Sequence, residues 1–150
     1  MSDSSSKEAN SKNADVDYRA ILDHLPGLFL ILDANLTIIG VNDAYNRATM
    51  TCRESMVGRS IFAVFPDNPG DPAADGVRNL HASLRRVLKF AAPDTMAVQR
   101  YDVRKPLEEG GEFDERYWTV INSPVLAADG SVRYIVHKAD KIVAEQNNGG

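Results

Sequence analysis

The spacing of apolar residues changes several times along this chain, and each change marks an element. Tyr18, Ile21, Leu22 and Leu25 recur at i, i+3, i+4 and i+7, the period of one helix face. Asp15 or Asp17 stands where an N-cap belongs, and Pro26 lies just past the expected end. Residues 27–32 and 36–41 are short apolar runs on either side of Asp33-Ala34-Asn35, the pattern of a hairpin. Asn42 can cap a helix over residues 43–50. Thr51-Cys52-Arg53-Glu54 has the capping-box spacing that restarts a helical turn. Gly58 interrupts it, residues 60–65 supply one more turn, and the Pro- and Gly-rich stretch 66–76 reads as a loop.

The longest helix is expected over residues 75–91. Val77, Leu80, Leu84, Val87 and Leu88 form one stripe, with Arg78, Arg86 and Lys89 away from it. Strand-like alternation follows over 95–103, a glycine loop over 107–112 and a long strand over 113–125. Asp129-Gly130 is a tight hairpin turn leading into a last strand, 131–138, with residues 139–146 expected to continue as helix. Five strands therefore flank a helical middle. The expected fold class is α+β: one five-stranded antiparallel sheet with helices packed on one face and a pocket between them.

The late strands carry apolar residues on both alternating sets. Val132, Tyr134 and Val136 face one way, Ile135 and His137 the other, and Tyr117/Ile121 divide from Trp118/Val120 in the same manner. A sheet apolar on both faces needs two covers. The helical middle is one. The helix over 17–25 is the other, supplied by the same chain in a monomer or by a partner in a homodimer. The dimer is the favoured expectation, with Tyr18, Ile21, Leu22, Leu25, Trp118 and Tyr134 as interface candidates.

Length and charge narrow the function classes. At 150 residues the chain fits one domain with polar ends. Residues 15–143 are assigned to the domain, 1–14 to a disordered leader and 144–150 to a tail or the start of a linker. A net charge of −4, without a basic arm, argues against a nucleic-acid or anionic-membrane surface. The single cysteine, Cys52, excludes an internal disulfide framework and a cysteine zinc cluster. No apolar run approaches the ~18 residues that span a bilayer, so a cytoplasmic location is expected.

Candidate chemistry is sparse. No Gly-x-Ser-x-Gly, Walker or His-Glu-x-x-His motif is present, so no enzyme is expected. Glu108, Glu109, Glu112, Asp114 and Glu115 sit beside glycines, as in a solvated loop. Asn42, Tyr45, Phe62, Leu80, His81 and Leu84 are the pocket candidates. Asn42 has a plainer reading as a helix cap, and Tyr45 and Phe62 as core. His24 and His137 have no second ligand at helical or strand spacing, so no metal site is expected.

Three segments, taken in order, carry a family resemblance: Gly27-Leu28-Phe29-Leu30-Ile31-Leu32-Asp33, Ile39-Gly40-Val41-Asn42-Asp43-Ala44-Tyr45, and Met56-Val57-Gly58-Arg59-Ser60-Ile61-Phe62. Tyr117-Trp118-Thr119-Val120 and Pro124 to Gly130 extend it. Over residues 17–143 the chain resembles a Per-ARNT-Sim (PAS) sensory domain, as in bacterial sensor histidine kinases. The resemblance implies sheet order 2-1-5-4-3 and a cytoplasmic signalling module that binds a small molecule or dimerises, then relays a change through flanking helices. It also implies two cofactor alternatives. In haem-binding relatives a histidine of the long helix ligates iron, which points to His81; the plainer reading is a histidine at the rim of the core. In light-sensing relatives a cysteine follows the Gly-Arg pair. Here Ser60 follows Gly58-Arg59 and Cys52 precedes it, so a flavin photosensor is not expected. The Asp-x-Thr that ends the last strand in many kinase PAS domains becomes Asp140-Lys141-Ile142, leaving Asp140 as the signal-coupling candidate without its threonine. A ligand-free structural dimerisation domain is the remaining alternative.

Overall fold

The computed structural model describes residues 16–142; the expected leader and tail lie outside them. Helix α1 (Tyr18–His24) starts where the Asp17 carboxylate accepts from the Ala20 N–H at 3.0 Å. Strands β1 (Leu28–Asp33) and β2 (Ile38–Val41) form the expected hairpin. Its turn is held by Asp33, whose carboxylate accepts from the N–H groups of Asn35 and Thr37 at 2.9 and 3.0 Å. Helix α2 (Asp43–Thr49), a 3₁₀ turn at Arg53–Ser55, α3 (Ile61–Val64) and α4 (Gly76–Phe90) make the helical layer.

The capping box expected at Thr51 does not form. Cys52 precedes the 3₁₀ turn and no side chain caps it. The Thr51 hydroxyl is taken instead by Asn46 Nδ2 at 3.0 Å and Thr49 Oγ1 at 2.8 Å.

Two expected strands are each divided. The first becomes β3 (Asp94–Arg100) and β4 (Val103–Arg104), the second β5 (Phe113–Asp114) and β6 (Tyr117–Leu126). The break falls at Asp102, a buried carboxylate that accepts from Arg100 Nε at 3.0 Å and from the Arg116 N–H at 3.3 Å. A buried charge needs those donors, and taking them interrupts the ladder. Strands β4 and β5 pair separately as a small ribbon. The last strand, β7 (Val132–Ile142), corrects the helix expected over 139–146. Ala139 and Lys141 stay in register opposite Val120 and Trp118, so strand alternation continues as far as the described residues go.

The main sheet has order β2-β1-β7-β6-β3 with every neighbouring pair antiparallel. With the ribbon set aside, this is the order the resemblance implies. Leu30, Leu32, Ile135, Val120 and Met96 of the sheet are buried, as are Ile61, Leu80, Leu84 and Val87 of the helical layer. Each such side chain removed from water contributes about 1.5–3 kcal/mol.

On the other face, α1 reaches the sheet mainly through Leu22. A Cβ built on Gly40 would stand 3.5 Å from both Leu22 and Ile31, so the helix sits against this edge of the sheet. Tyr18 (67% exposed) and Ile21 (51% exposed) do not join that contact.

Candidate functional site

A cavity of about 50 Å³ lies between the inner face of the sheet and the helices. Helix α2 supplies Tyr45 and Thr49, α3 supplies Ile61 and α4 supplies Leu80. Strands β6 and β7 form the floor with Trp118, Val120, His137 and Ala139. Phe65, Gln99, Tyr101 and Val103 close the side.

Local bonding explains why these groups point inward. Asn42 is fully buried: its Oδ1 accepts from the N–H groups of Tyr45 (3.0 Å) and Phe29 (3.2 Å), and its Nδ2 donates to Gly27 O at 2.9 Å. It therefore caps α2 and ties it to the hairpin. That fixes Tyr45 over the floor and Thr49 one turn later. On the side wall, the Tyr101 hydroxyl donates to Phe65 O, and the Tyr101 carbonyl accepts from Trp118 Nε1 at 2.8 Å. Helix α4 begins against this ring. A Cβ on Gly76 would stand 2.6 Å from it, so only glycine allows the helix start to come this close.

The floor carries a buried polar chain. His137 Nδ1 bonds Asn122 Oδ1 at 2.8 Å, directly across the β6–β7 register. Asn122 Nδ2 donates to Ser83 Oγ on α4 at 2.9 Å. The Ser83 hydroxyl donates to Asp94 Oδ2 at 2.6 Å. Asp94, at the start of β3, receives the Arg86 guanidinium through two bonds of 2.9 and 3.0 Å. Asn122 and Ser83 are fully buried and His137 is 3% exposed, whereas the Arg86 side chain is half-exposed. The chain runs from the cavity floor to the surface.

Burial sets the electrostatics. Desolvation holds the His137 imidazole down to about 4, so it is neutral at physiological pH. Desolvation likewise raises the Tyr45 and Tyr101 phenols. The Arg86 hydrogen bonds, joined by that of Ser83, outweigh desolvation and hold the Asp94 carboxyl below its usual range. At Asp102 burial pulls upward, but Arg100, Asn68 and the Arg116 N–H more than offset it and the net shift is down.

Of the expected pocket residues, Tyr45 and Leu80 line the cavity. Leu84 is buried in the core beside it, and Asn42 is the cap. Phe62 and His81 do not line the cavity; Phe62 packs half-buried against the core, its plainer reading. His81 is exposed, with its ring against Phe62 at 5.5 Å between centroids. It lies one residue past Leu80 on α4, so its side chain turns about 100° away from the cavity. The haem alternative through His81 therefore loses its ligand, because His81 does not line the cavity. Cys52 is exposed, with its Sγ against Ser55 Oγ at 3.2 Å. Among the interface candidates, Trp118 is corrected: it is buried on the inner face, while Tyr134 faces outward. Asp140 lies exposed near the end of β7, opposite Thr119.

The comparisons agree with this geometry. A family model described as the PAS fold matches residues 22–142. The chain belongs to the PAS fold family. Among solved structures, a sensory box sensor histidine kinase from Vibrio cholerae is 17% identical, with 93% of this chain and 98% of that one covered and a TM-score of 0.56. The PAS domain of Bordetella pertussis BvgS is 22% identical, covering 88% and 90%, at a TM-score of 0.60. A Rhodobacter sphaeroides LOV protein is 14% identical, covering 87% and 67%, at a TM-score of 0.64. At these identities the likeness is one of fold. None of the curated proteins matches in sequence. The family is one of sensory modules found in signal-transduction proteins. No helix among the described residues is long and apolar enough to cross a membrane.

Proposed function

We propose that this PAS domain is a non-enzymatic sensor. Its cavity binds a small molecule, and occupancy biases the packing of the flanking helices, in the cytoplasmic part of a bacterial signalling protein. The observation that carries the reading is His137: a buried, neutral imidazole on an otherwise largely carbon-lined floor, held by a dedicated hydrogen-bond chain. Such a group orients a ligand at little cost, because its own partner is already fixed. The signal would leave through α1 and the end of β7, where Asp140 stands.

Native mass spectrometry of the purified chain, followed by denaturation and small-molecule analysis, tests the reading. The expected result is a retained or exchangeable compound that shifts the resonances of Tyr45 and Trp118. A chain that retains nothing, and whose cavity resonances do not move in a screen of small organic compounds, would sink it.

A homodimer is supported by a separate observation. Tyr18 and Ile21 of α1 and Leu25 just past its end, together with Ile121 and Val125 of the outer sheet face, are exposed apolar groups. Leu22 and Tyr134 adjoin them, half-buried.

A further inference from the structure

The hydrogen-bond chain beneath the cavity has a direction, and that direction fixes what the floor offers a ligand. Asp94 is held as a carboxylate by Arg86, so it only accepts. Ser83 must then give its single proton to Asp94, which leaves its oxygen to accept. The group facing Ser83 from Asn122 is therefore the NH₂, and the group facing His137 is the carbonyl oxygen. A carbonyl oxygen accepts, so the proton of His137 sits on Nδ1. Nε2 is left as a bare lone pair. Asp23 Oδ1 is the only fully enclosed side-chain N or O without a partner among the described residues. Nε2 has no partner among the described residues and is not among their fully enclosed unpaired atoms, so it reaches open space, and the space this ring lines is the cavity. Tyr45 brings a hydroxyl to the same cavity, and it too bonds no described residue.

We propose that the cavity selects a small neutral hydroxyl compound, an alcohol, whose O–H donates to Nε2 of His137. The proposal rests on the reading of the cavity as a ligand site. A hydroxyl fits both polar groups, because it can donate to the imidazole and accept from the Tyr45 phenol. A ketone or ether can only accept, so it leaves the buried imidazole lone pair unmet, and that loss discriminates strongly. A carboxylate brings a second acceptor and a charge into a largely carbon-lined space. Size is bounded as well. A water needs at least about 10–15 Å³ of probe-filled space, so a cavity of about 50 Å³ has room for a compound of a few heavy atoms.

Two measurements on the full chain test this. The first needs no ligand. Long-range ¹H–¹⁵N spectra of the His137 ring should show a protonated Nδ1 and a pyridine-type Nε2; the opposite tautomer, or a doubly protonated ring at pH 7, overturns the proposal. The second compares 2-butanol with butanone, equal in heavy atoms, by shifts of the Leu80 and Val120 methyls. The alcohol should bind at least about tenfold more tightly. Tyr45→Phe should keep that preference, and His137→Phe should abolish it. Equal binding of the two probes overturns the alcohol selectivity while leaving the ligand site standing. No binding of either overturns the alcohol proposal, whereas the ligand site itself falls only if the chain also retains nothing and no screened compound moves its cavity resonances.

Discussion

The two faces of the sheet are built from the same strands and solve opposite problems. On the inner face, polar residues occur where they can join one another: Asn122, His137 and Ser83 are buried, and each has its partner in the others or in Asp94. On the outer face, Ile121, Val125 and the α1 residues Tyr18 and Ile21 are apolar and exposed among the described residues. Residues 121 and 122 are neighbours in sequence and belong to different problems, so alternation along β6 separates the buried polar chain from the exposed apolar face.

The largest expected effect comes from breaking the inner chain in its middle. Asn122→Leu leaves His137 Nδ1 and Ser83 without their partner inside the core. It should lower unfolding free energy by about 3 kcal/mol, seen as a lower urea midpoint with an unchanged slope. Ile121→Ser, one residue away on the outer face, should cost less than about 1 kcal/mol in the monomer. Similar costs for the two would erase the contrast between faces.

Acid sharpens it next. His137 is held to about 4 in the folded state, against about 6.5 unfolded. Below pH 6.5 the unfolded chain takes up a proton that the folded chain refuses. Stability should therefore fall as pH drops from 6.5 to 4, by roughly 3 kcal/mol in total. Asp94 acts in a different window. Its folded value is depressed, so its contribution is present above the usual carboxylate range and is lost only as pH falls through that lower value. Urea midpoints measured across pH 4–7 should slope in the wild type and flatten in His137→Phe, while Ile121→Ser keeps the slope.

Much of this contrast was legible in the sequence. The hairpin, the long helix and the two-faced late strands all follow from spacing, and the Tyr134/Ile135 division is the one observed. Asn42 was legible as a cap because its neighbour pattern is local. The polar chain was less legible because it is not local. Ser83, Asp94, Asn122 and His137 come from three strands and a helix, and only the fold brings them together. A signal was present nonetheless. Asn122 follows Trp118 and Val120 on the inward set of β6, and His137 lies between Ile135 and Ala139 on that of β7. Two polar residues on otherwise apolar faces, with Ser83 on the buried stripe of α4, need one another. His81 misled because it stands next to the stripe residue Leu80, and one residue on a helix is a turn of about 100°. The strand breaks at Asp102 and Arg116 depend on a buried carboxylate collecting donors from distant loops, which no local pattern announces.

The outer face should respond to charge where the inner face responds to lost hydrogen bonds. Ile121→Lys is expected to weaken self-association by at least about tenfold, or 1.4 kcal/mol, with unchanged circular dichroism and unchanged ligand shifts at Leu80. Sedimentation velocity across concentration reads it directly. A wild-type chain that sediments as a monomer at every concentration would remove the assembly role from this face.

The smallest effect concerns the helix that holds the inner chain to the surface. Helix α4 ends at Ala91, in the left-handed region at φ 51° and ψ 41°, where its N–H closes on Val87 O at 2.9 Å. Three residues later stands Asp94, which meets Arg86 one turn back on the same helix. A left-handed alanine costs about 1 kcal/mol that glycine avoids, although glycine returns part of this through its freer unfolded chain. Ala91→Gly should therefore stabilise the monomer by about 0.5 kcal/mol, a slightly higher urea midpoint. Because the change relaxes the helix end without touching the outer face, self-association should not move. A loss of stability instead would mean that the turn into Asp94 depends on the alanine side chain, and that the inner face is anchored at its surface end as firmly as at its buried one.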